Sequence, residues 1–114
     1  MVYCIKLKHT SDIEEVHTFE LQTATSKEYA IMKYRRMIDR WFNILVPHID
    51  WHLFIKQYKL AFKRDLTEEE EYKLCLEVID AHLNYLNLID GKNREFKIEM
   101  LVEVEVVSIQ NAIC

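Results

Sequence analysis

Glycine and proline are almost missing from this sequence, which has one glycine, Gly91, and one proline, Pro47, in 114 residues. An average composition would give about eight glycines and about six prolines in a chain of this length. Sites that hold phosphate groups or dinucleotides use glycine, because its backbone can approach the ligand closely and adopt positive φ. The sequence contains neither a P-loop nor a GxGxxG pattern. This absence argues against a nucleotide-dependent enzyme, and we expect no cofactor.

Paired cysteines and long apolar runs are missing as well. The three cysteines, Cys4, Cys75 and Cys114, are odd in number, far apart and outside any CxxC spacing, which argues against a disulfide framework or a cysteine metal site. No apolar run approaches the roughly 18 residues of a membrane helix, and the first residues do not form a signal peptide. The composition, 50% apolar and 30% charged, is that of a globular protein. We therefore expect one domain over residues 1–114, in the cytoplasm, with reduced thiols and no membrane partner.

Alternating apolar and polar side chains predict β-strands over residues 2–9, 16–23 and 96–107. This two-residue period puts one face of each strand against the core and the other in solvent. In the second strand it predicts that Phe19 and Leu21 face the core. Lys6 and Lys8 of the first strand could pair with acidic residues of the last strand, which predicts that these two strands are neighbours. The acidic residues are Glu99, Glu103 and Glu105.

Apolar residues at spacings of three and four predict three helices between the second and the last strand. Their boundary signals are a capping box of Thr25 with Glu28, an N-cap at Asp50, a capping box of Thr67 with Glu70, and a C-terminal cap at Gly91. The element order is therefore ββαααβ. It predicts an α+β domain of two layers, in which an antiparallel three-stranded sheet packs on three helices.

The run His48-Ile49-Asp50-Trp51-His52 is the stretch most similar to a metal-binding helix. A zinc-protease helix places glutamate directly after the first histidine. Here the acid is Asp50, which would lie about 200° from His48 on a helical wheel. Asp50 is also a strong N-cap, which would leave His48 before the helix. We predict no metal site, and interpret His82, on the apolar side of the third helix, as a satisfied core residue rather than a third ligand.

Positive charge is concentrated in the middle of the chain. Residues 26–66 hold nine cations and four anions, although the whole chain has a net charge of −4. On helical wheels the cations form a stripe on each of the first two helices. The candidate binding residues are Lys33, Arg36, Arg40, Lys56, Lys59 and Lys63. Merged stripes would attract a phosphate backbone or an acidic protein, whereas the alternative is the ordinary solvated face of amphipathic helices.

The third helix is apolar over most of its circumference, since its polar strip covers only about 80°. Its first seam consists of Tyr72, Cys75, Leu76, Ile79, Leu83 and Leu86, and its second seam of Leu74, Val78, Ala81, Tyr85 and Leu88. Such a helix must be buried on two sides. One side meets the sheet, and the other meets a neighbouring helix or a second copy of the chain, so a homodimer through the third helix is an alternative.

The sequence says less about the function of the protein than about its fold. No serine, cysteine or carboxylate stands in a pattern typical of catalysis, and we predict that the protein is not an enzyme. Short, acidic chains rich in lysine, glutamate, isoleucine and tyrosine are common among phage and mobile-element accessory proteins. The leading hypothesis is a protein-binding module, an anti-CRISPR-like inhibitor of a host or defence protein. The alternative is a nucleic-acid-binding regulator that uses the basic helical stripes.

Overall fold

Three strands and three helices follow one another in the predicted order. The computed structural model describes residues 2–11 and 16–104, and the side chains of residues 2–11 and 18–101. The elements are β1 (Val2–Ser11), β2 (Val16–Ala24), α1 (Lys27–Leu45), α2 (Trp51–Phe62), α3 (Glu68–Asp90) and β3 (Arg94–Val104). Both strand pairs are antiparallel. The predicted α+β class, with a three-stranded antiparallel sheet and three helices, is confirmed.

β1 is the central strand of the sheet, whose order is β2-β1-β3. The prediction that the first and last strands are neighbours is therefore confirmed. Lys6 lies opposite Glu99, as the charge pattern suggested, but Lys8 lies opposite Lys97. The other two predicted acids, the Glu103 side chain and Glu105, lie outside the described part of the chain.

The prediction for the faces of β2 was wrong. Ala24 is buried together with Tyr3, its cross-strand partner, and with Ala30 of α1. Because side chains alternate along a strand, Glu20 lies on that same face, and it forms an ion pair with Arg40 of α1. Phe19 and Leu21 lie on the opposite face, where Phe19 is 57% exposed. A one-residue change of phase reverses both faces of a strand, and here the small Ala24 fits under α1 and sets the phase.

The first helix begins one residue later than predicted. Ser26, not Thr25, is the N-cap of α1, and its Oγ accepts from the Tyr29 backbone N–H at 3.2 Å. The predicted capping box of Thr25 with Glu28 was therefore wrong. Serine is at least as good an N-cap as threonine, and the extended backbone of Ser26 suits that position.

The boundaries of the other two helices match the prediction. Asp50 caps α2 by accepting from the backbone N–H groups of His52 and Leu53. Thr67 and Glu70 form the reciprocal capping box of α3. Gly91 ends α3 with φ +67°, a left-handed conformation that side-chain-bearing residues adopt at a cost.

The helices α1 and α3 lie side by side and run in the same direction. Three contacts show this, because the residue numbers of both partners increase together from one contact to the next. They are Arg35 to Glu68 at 2.8 Å, Asp39 to Tyr72 at 3.3 Å, and the rings of His48 and His82 at 4.8 Å between centroids. The helix α2 returns beside the start of α3, where Lys59 Nζ lies 2.7 Å from Glu71 Oε1.

The main core lies between the sheet and these helices. It contains Ile5, Leu7, Met37, Ile38, Trp41, Phe42, Val46, Trp51, Ile55, Cys75, Ile79, Leu83 and Phe96. Burial of each large apolar side chain contributes about 1.5–3 kcal/mol. The first seam of α3 supplies Cys75, Ile79 and Leu83, as predicted. The sheet face away from this core carries no described helix.

Candidate interaction surfaces

The sheet face opposite the helices is the first candidate surface, and we call it the open face. Its described side chains are Cys4, Lys6, Lys8, Thr10, Phe19, Leu21, Thr23, Glu95, Lys97, Glu99 and Leu101. β2 puts Phe19 and Leu21 here because Ala24 holds the alternate positions under α1. The open face is mixed in charge, with three lysines and two glutamates among its described side chains. Sequence reasoning missed the apolar part of this surface.

The cross-strand rows of the open face place charge beside apolar area. Lys8 lies between Phe19 on β2 and Lys97 on β3, and the next row contains Leu21, Lys6 and Glu99. Like charges directly opposite each other weaken a sheet. Glu95 offsets this repulsion, since Lys97 Nζ lies 2.8 Å from its Oε1. The hydrogen bond from Lys97 lowers the pKa of Glu95, and the charge of Lys8 contributes.

A depression of about 560 Å³ includes five open-face residues in its lining: Lys6, Lys8, Phe19, Lys97 and Glu99. Cys4 also belongs to the open face but is fully buried in the central strand. Burial raises the pKa of the Cys4 thiol, Glu99 raises it further, and Lys6 acts in the opposite direction. A buried neutral thiol is a poor nucleophile. The described part of the open face therefore offers no activated thiol.

The predicted basic residues of α1 and α2 are only partly free. Arg40 pairs with Glu20 of β2, and Lys33 Nζ donates to the Thr23 carbonyl oxygen at 2.7 Å. Lys59 pairs instead with Glu71 of α3. The α1 stripe is thus directed toward β2 and the α2 stripe toward α3. Within the described part of the chain, the side chains of Arg36, Lys56 and Lys63 are exposed and form no ion pair.

His48 lies before α2, which begins at Trp51, as predicted, and its ring contacts that of His82. The rings of His48 and His82 lie 4.8 Å apart, and His82 is half-buried rather than a core residue. Burial lowers the pKa of His82, and the nearby His48 and Arg94 lower it further. Over residues 2–11 and 16–104, no three His, Cys, Asp or Glu side chains are grouped to hold a metal ion.

Asp39 is the most unusual polar group of the helical layer. Its Oδ2 accepts from the Tyr72 hydroxyl at 3.3 Å, and its Oδ1 is buried without a hydrogen-bond partner among the described residues. Burial raises the pKa of Asp39, against the opposing effects of the Tyr72 hydrogen bond and of His52. Burial and the adjacent Asp39 raise the pKa of Tyr72 to about 12. The only sequence signal was an acid between the core residues Ile38 and Trp41.

In comparisons with protein-family models, curated proteins and solved structures, this chain matched none. No described helix is both long and apolar enough to cross a membrane. The functional argument therefore depends on the surfaces themselves.

Proposed function

We propose that the protein is a non-enzymatic protein-binding module that holds its partner on the open face. The observation that carries this proposal is the orientation of β2, which places the exposed Phe19 and the half-buried Leu21 on a face that no described helix covers. Aromatic side chains are enriched at the centres of protein interfaces, where they supply most of the binding energy. Phe19 is bordered by Lys8, so apolar contact and charge recognition would occur side by side.

The charge pattern of the open face supports an acidic partner. Lys8 and Lys97 are directly opposite each other, and Glu95 is the acidic residue, among those whose side chains the structure describes, that acts on both. A partner carboxylate between the two lysines would relieve their repulsion, while an apolar partner side chain covers Phe19 and Leu21. A protein that only binds a partner in this way could act as an inhibitor by occupying the partner's surface. We extend the proposal to a phage or mobile-element inhibitor of a defence protein, for which composition is the only support.

The test uses a photo-crosslinking amino acid placed at Leu21, beside Phe19, in the full chain and in nuclease-treated lysate. We expect a defined protein adduct, which is lost when Phe19→Ser is added. Leu60→Ser is the matched control, because Leu60 is an exposed apolar residue of α2, 69% exposed and away from the sheet. A folded Phe19→Ser variant that gives the same adduct in the same yield would remove the open face from consideration.

Single-stranded nucleic acid is the second candidate for the same surface. An exposed aromatic ring beside lysines is the arrangement on which unpaired bases stack while phosphates meet the cations. The candidate is weaker because Glu95 and Glu99 lie on the same face and repel phosphate. Fluorescence anisotropy with a poly-dT 12-mer at 50 and 200 mM salt distinguishes the two. Binding that falls steeply with salt and disappears in Phe19→Ser would favour nucleic acid over protein.

A further inference from the structure

A groove of about 570 Å³ lies between the first halves of α1 and α3, on the helical side of the sheet. Its volume is within the range of small-molecule sites. This half of α3 is buried on two sides as predicted, since Leu74 and Val78 of the second seam pack against the core. In the other half of the helix, Tyr85 and Leu88 of the same seam are exposed, so the prediction does not hold there.

The interior of the groove is apolar. Ile31 and Tyr34 are three residues apart on α1, and Tyr72 and Leu76 are four apart on α3, so each pair lies on one face of its helix. Met100 of β3 completes the interior and packs against both core clusters. All five side chains are half-buried. Each therefore packs against the protein and keeps some area for contact with a ligand.

The two tyrosine rings of the groove carry neutral hydroxyl groups. Burial raises the pKa of Tyr34 above its ordinary value, and burial together with Asp39 raises the pKa of Tyr72 to about 12. Arg35 lies over the Tyr72 ring, 5.5 Å from its centroid. Neither phenol adds negative charge to the groove at neutral pH.

Positive charge predominates around this apolar interior. The charged lining residues are Lys27, Arg35, Glu69 and Lys73. Glu68 neutralises Arg35, since its Oε2 lies 2.8 Å from Arg35 Nη1. Lys27 and Lys73 are exposed and form no ion pair within the described part of the chain. With Glu69 opposing the two lysines, the balance is one positive charge.

We infer that this groove binds a small amphipathic carboxylate, whose apolar body contacts Tyr34, Tyr72 and Met100 while Lys27 and Lys73 attract its charge. A carboxylate fits the balance of one positive charge better than a phosphate monoester, which carries nearly two negative charges at neutral pH. Burial of the apolar body supplies most of the affinity, and the lysines select the sign of the charge.

The groove is separate from the open face. Met100 alternates with Glu99 along β3 and so lies on the other side of the sheet. The inference does not depend on the proposed protein partner, and the outcome of one test does not decide the other.

Octanoate is the probe, and 1-octanol is the matched control because it has the same chain length and no charge. Binding to the full chain is followed by NMR of ¹³C-methyl methionine. Met100 reports on the groove, and Met37, which is buried in the core, is the internal control. We expect octanoate to shift the Met100 signal and to leave that of Met37 in place. Octanol should bind more weakly by about 5-fold or more, since it lacks the attraction to two lysines.

Single substitutions test the charges of the lining. Lys27→Gln and Lys73→Gln should each weaken octanoate binding by about 2- to 5-fold. Glu69→Gln should strengthen it by a similar factor, because it removes the acid from the lining. None of the three should alter octanol binding. Lys56→Gln, at an exposed position of α2, is the control that leaves the affinity for octanoate unchanged.

Four results would overturn the inference. One is a Met100 signal that octanoate does not shift at concentrations that would saturate a millimolar site. Another is equal affinity for octanoate and octanol, which would leave an apolar depression without charge selection. The third is an octanoate affinity that the lysine and glutamate substitutions leave unchanged. The last is a Met100 signal that moves with protein concentration in the absence of octanoate, which would assign the groove to a second copy of the chain.

Discussion

At the scale of single residues, His82 links folding to pH. Burial, His48 and Arg94 hold its pKa below the ordinary value of 6.5. At pH values between the pKa of His82 in the unfolded chain and its lower pKa in the folded chain, the unfolded chain binds more protons. The free energy of unfolding therefore falls as the pH drops below about 6.5. We expect the urea midpoint to decrease between pH 7.5 and pH 5.5, and His82→Gln to reduce that decrease. His52→Gln, at an exposed position of α2, is the control, and equal pH dependence in both variants would contradict the prediction.

A second prediction at this scale concerns the stability contributed by Asp39 and Tyr72. The folded pKa of Asp39 is raised, chiefly by burial, so the ionised carboxylate opposes folding at neutral pH, and stability falls as pH rises through the unfolded pKa toward the folded one. Asp39→Asn should stabilise the protein at pH 7, because it removes the charge and keeps an acceptor for the Tyr72 hydroxyl. Tyr72→Phe should destabilise it by about 1–2 kcal/mol, since a buried acceptor loses its donor. Chemical denaturation of both variants measures these changes in the free energy of unfolding. An Asp39→Asn variant less stable than the wild type would contradict the prediction for Asp39.

At the scale of elements, Thr25 and Ser26 are two adjacent candidates for the N-cap of α1. Ser26 Oγ accepts from the Tyr29 backbone N–H, whereas Thr25 lies one residue earlier and is exposed. Ser26→Ala should lower the free energy of unfolding by about 1 kcal/mol. Thr25→Ala, the matched control, should change it by less than about 0.5 kcal/mol. Urea denaturation measures both, and the reverse order would show that the helix begins at the residue the capping-box pattern indicated.

These elements show which parts of the fold local sequence determines. The caps at Asp50, Thr67 and Gly91 depend on hydrogen bonds and dihedral angles within a few residues, so they could be predicted. The faces of β2 could not, because the strand carries polar residues on both faces. Its phase depends on Ala24 fitting against Ala30, which is a tertiary contact.

At the scale of the whole molecule, the missed features join residues distant in sequence. Tyr72 is 33 residues from Asp39, and Arg40 is 20 residues from Glu20. Helical periodicity places each residue on a face but does not say which element covers that face. The class and the strand order followed from the period and from charge on β1 and β3, while the apolar part of the open face depends on the phase of β2, which the contact of Ala24 with α1 sets.

The distribution of charge over the molecule gives the last prediction. Reversing Arg36, Lys56 and Lys63 to glutamate removes three exposed cations that have no ion pair among the described residues. Surface changes of this kind each shift the free energy of unfolding by less than about 0.5 kcal/mol. We expect the triple variant to fold and to keep the partner that crosslinks at Leu21. The double variant Lys8→Glu, Lys97→Glu should fold and lose that partner, because it inverts the charge beside Phe19.

The two variants separate the basic helical surface from the open face. Quantitative binding by the isolated partner, measured at two salt concentrations, provides the comparison. If the triple variant loses binding and the double variant keeps it, the partner contacts α1 and α2, and the exposed ring of Phe19 has no part in recognition. Because both variants carry added negative charge, a nonspecific electrostatic effect would weaken both, and equal losses that vanish at high salt would identify it. Loss confined to the double variant is therefore the result that the open face requires.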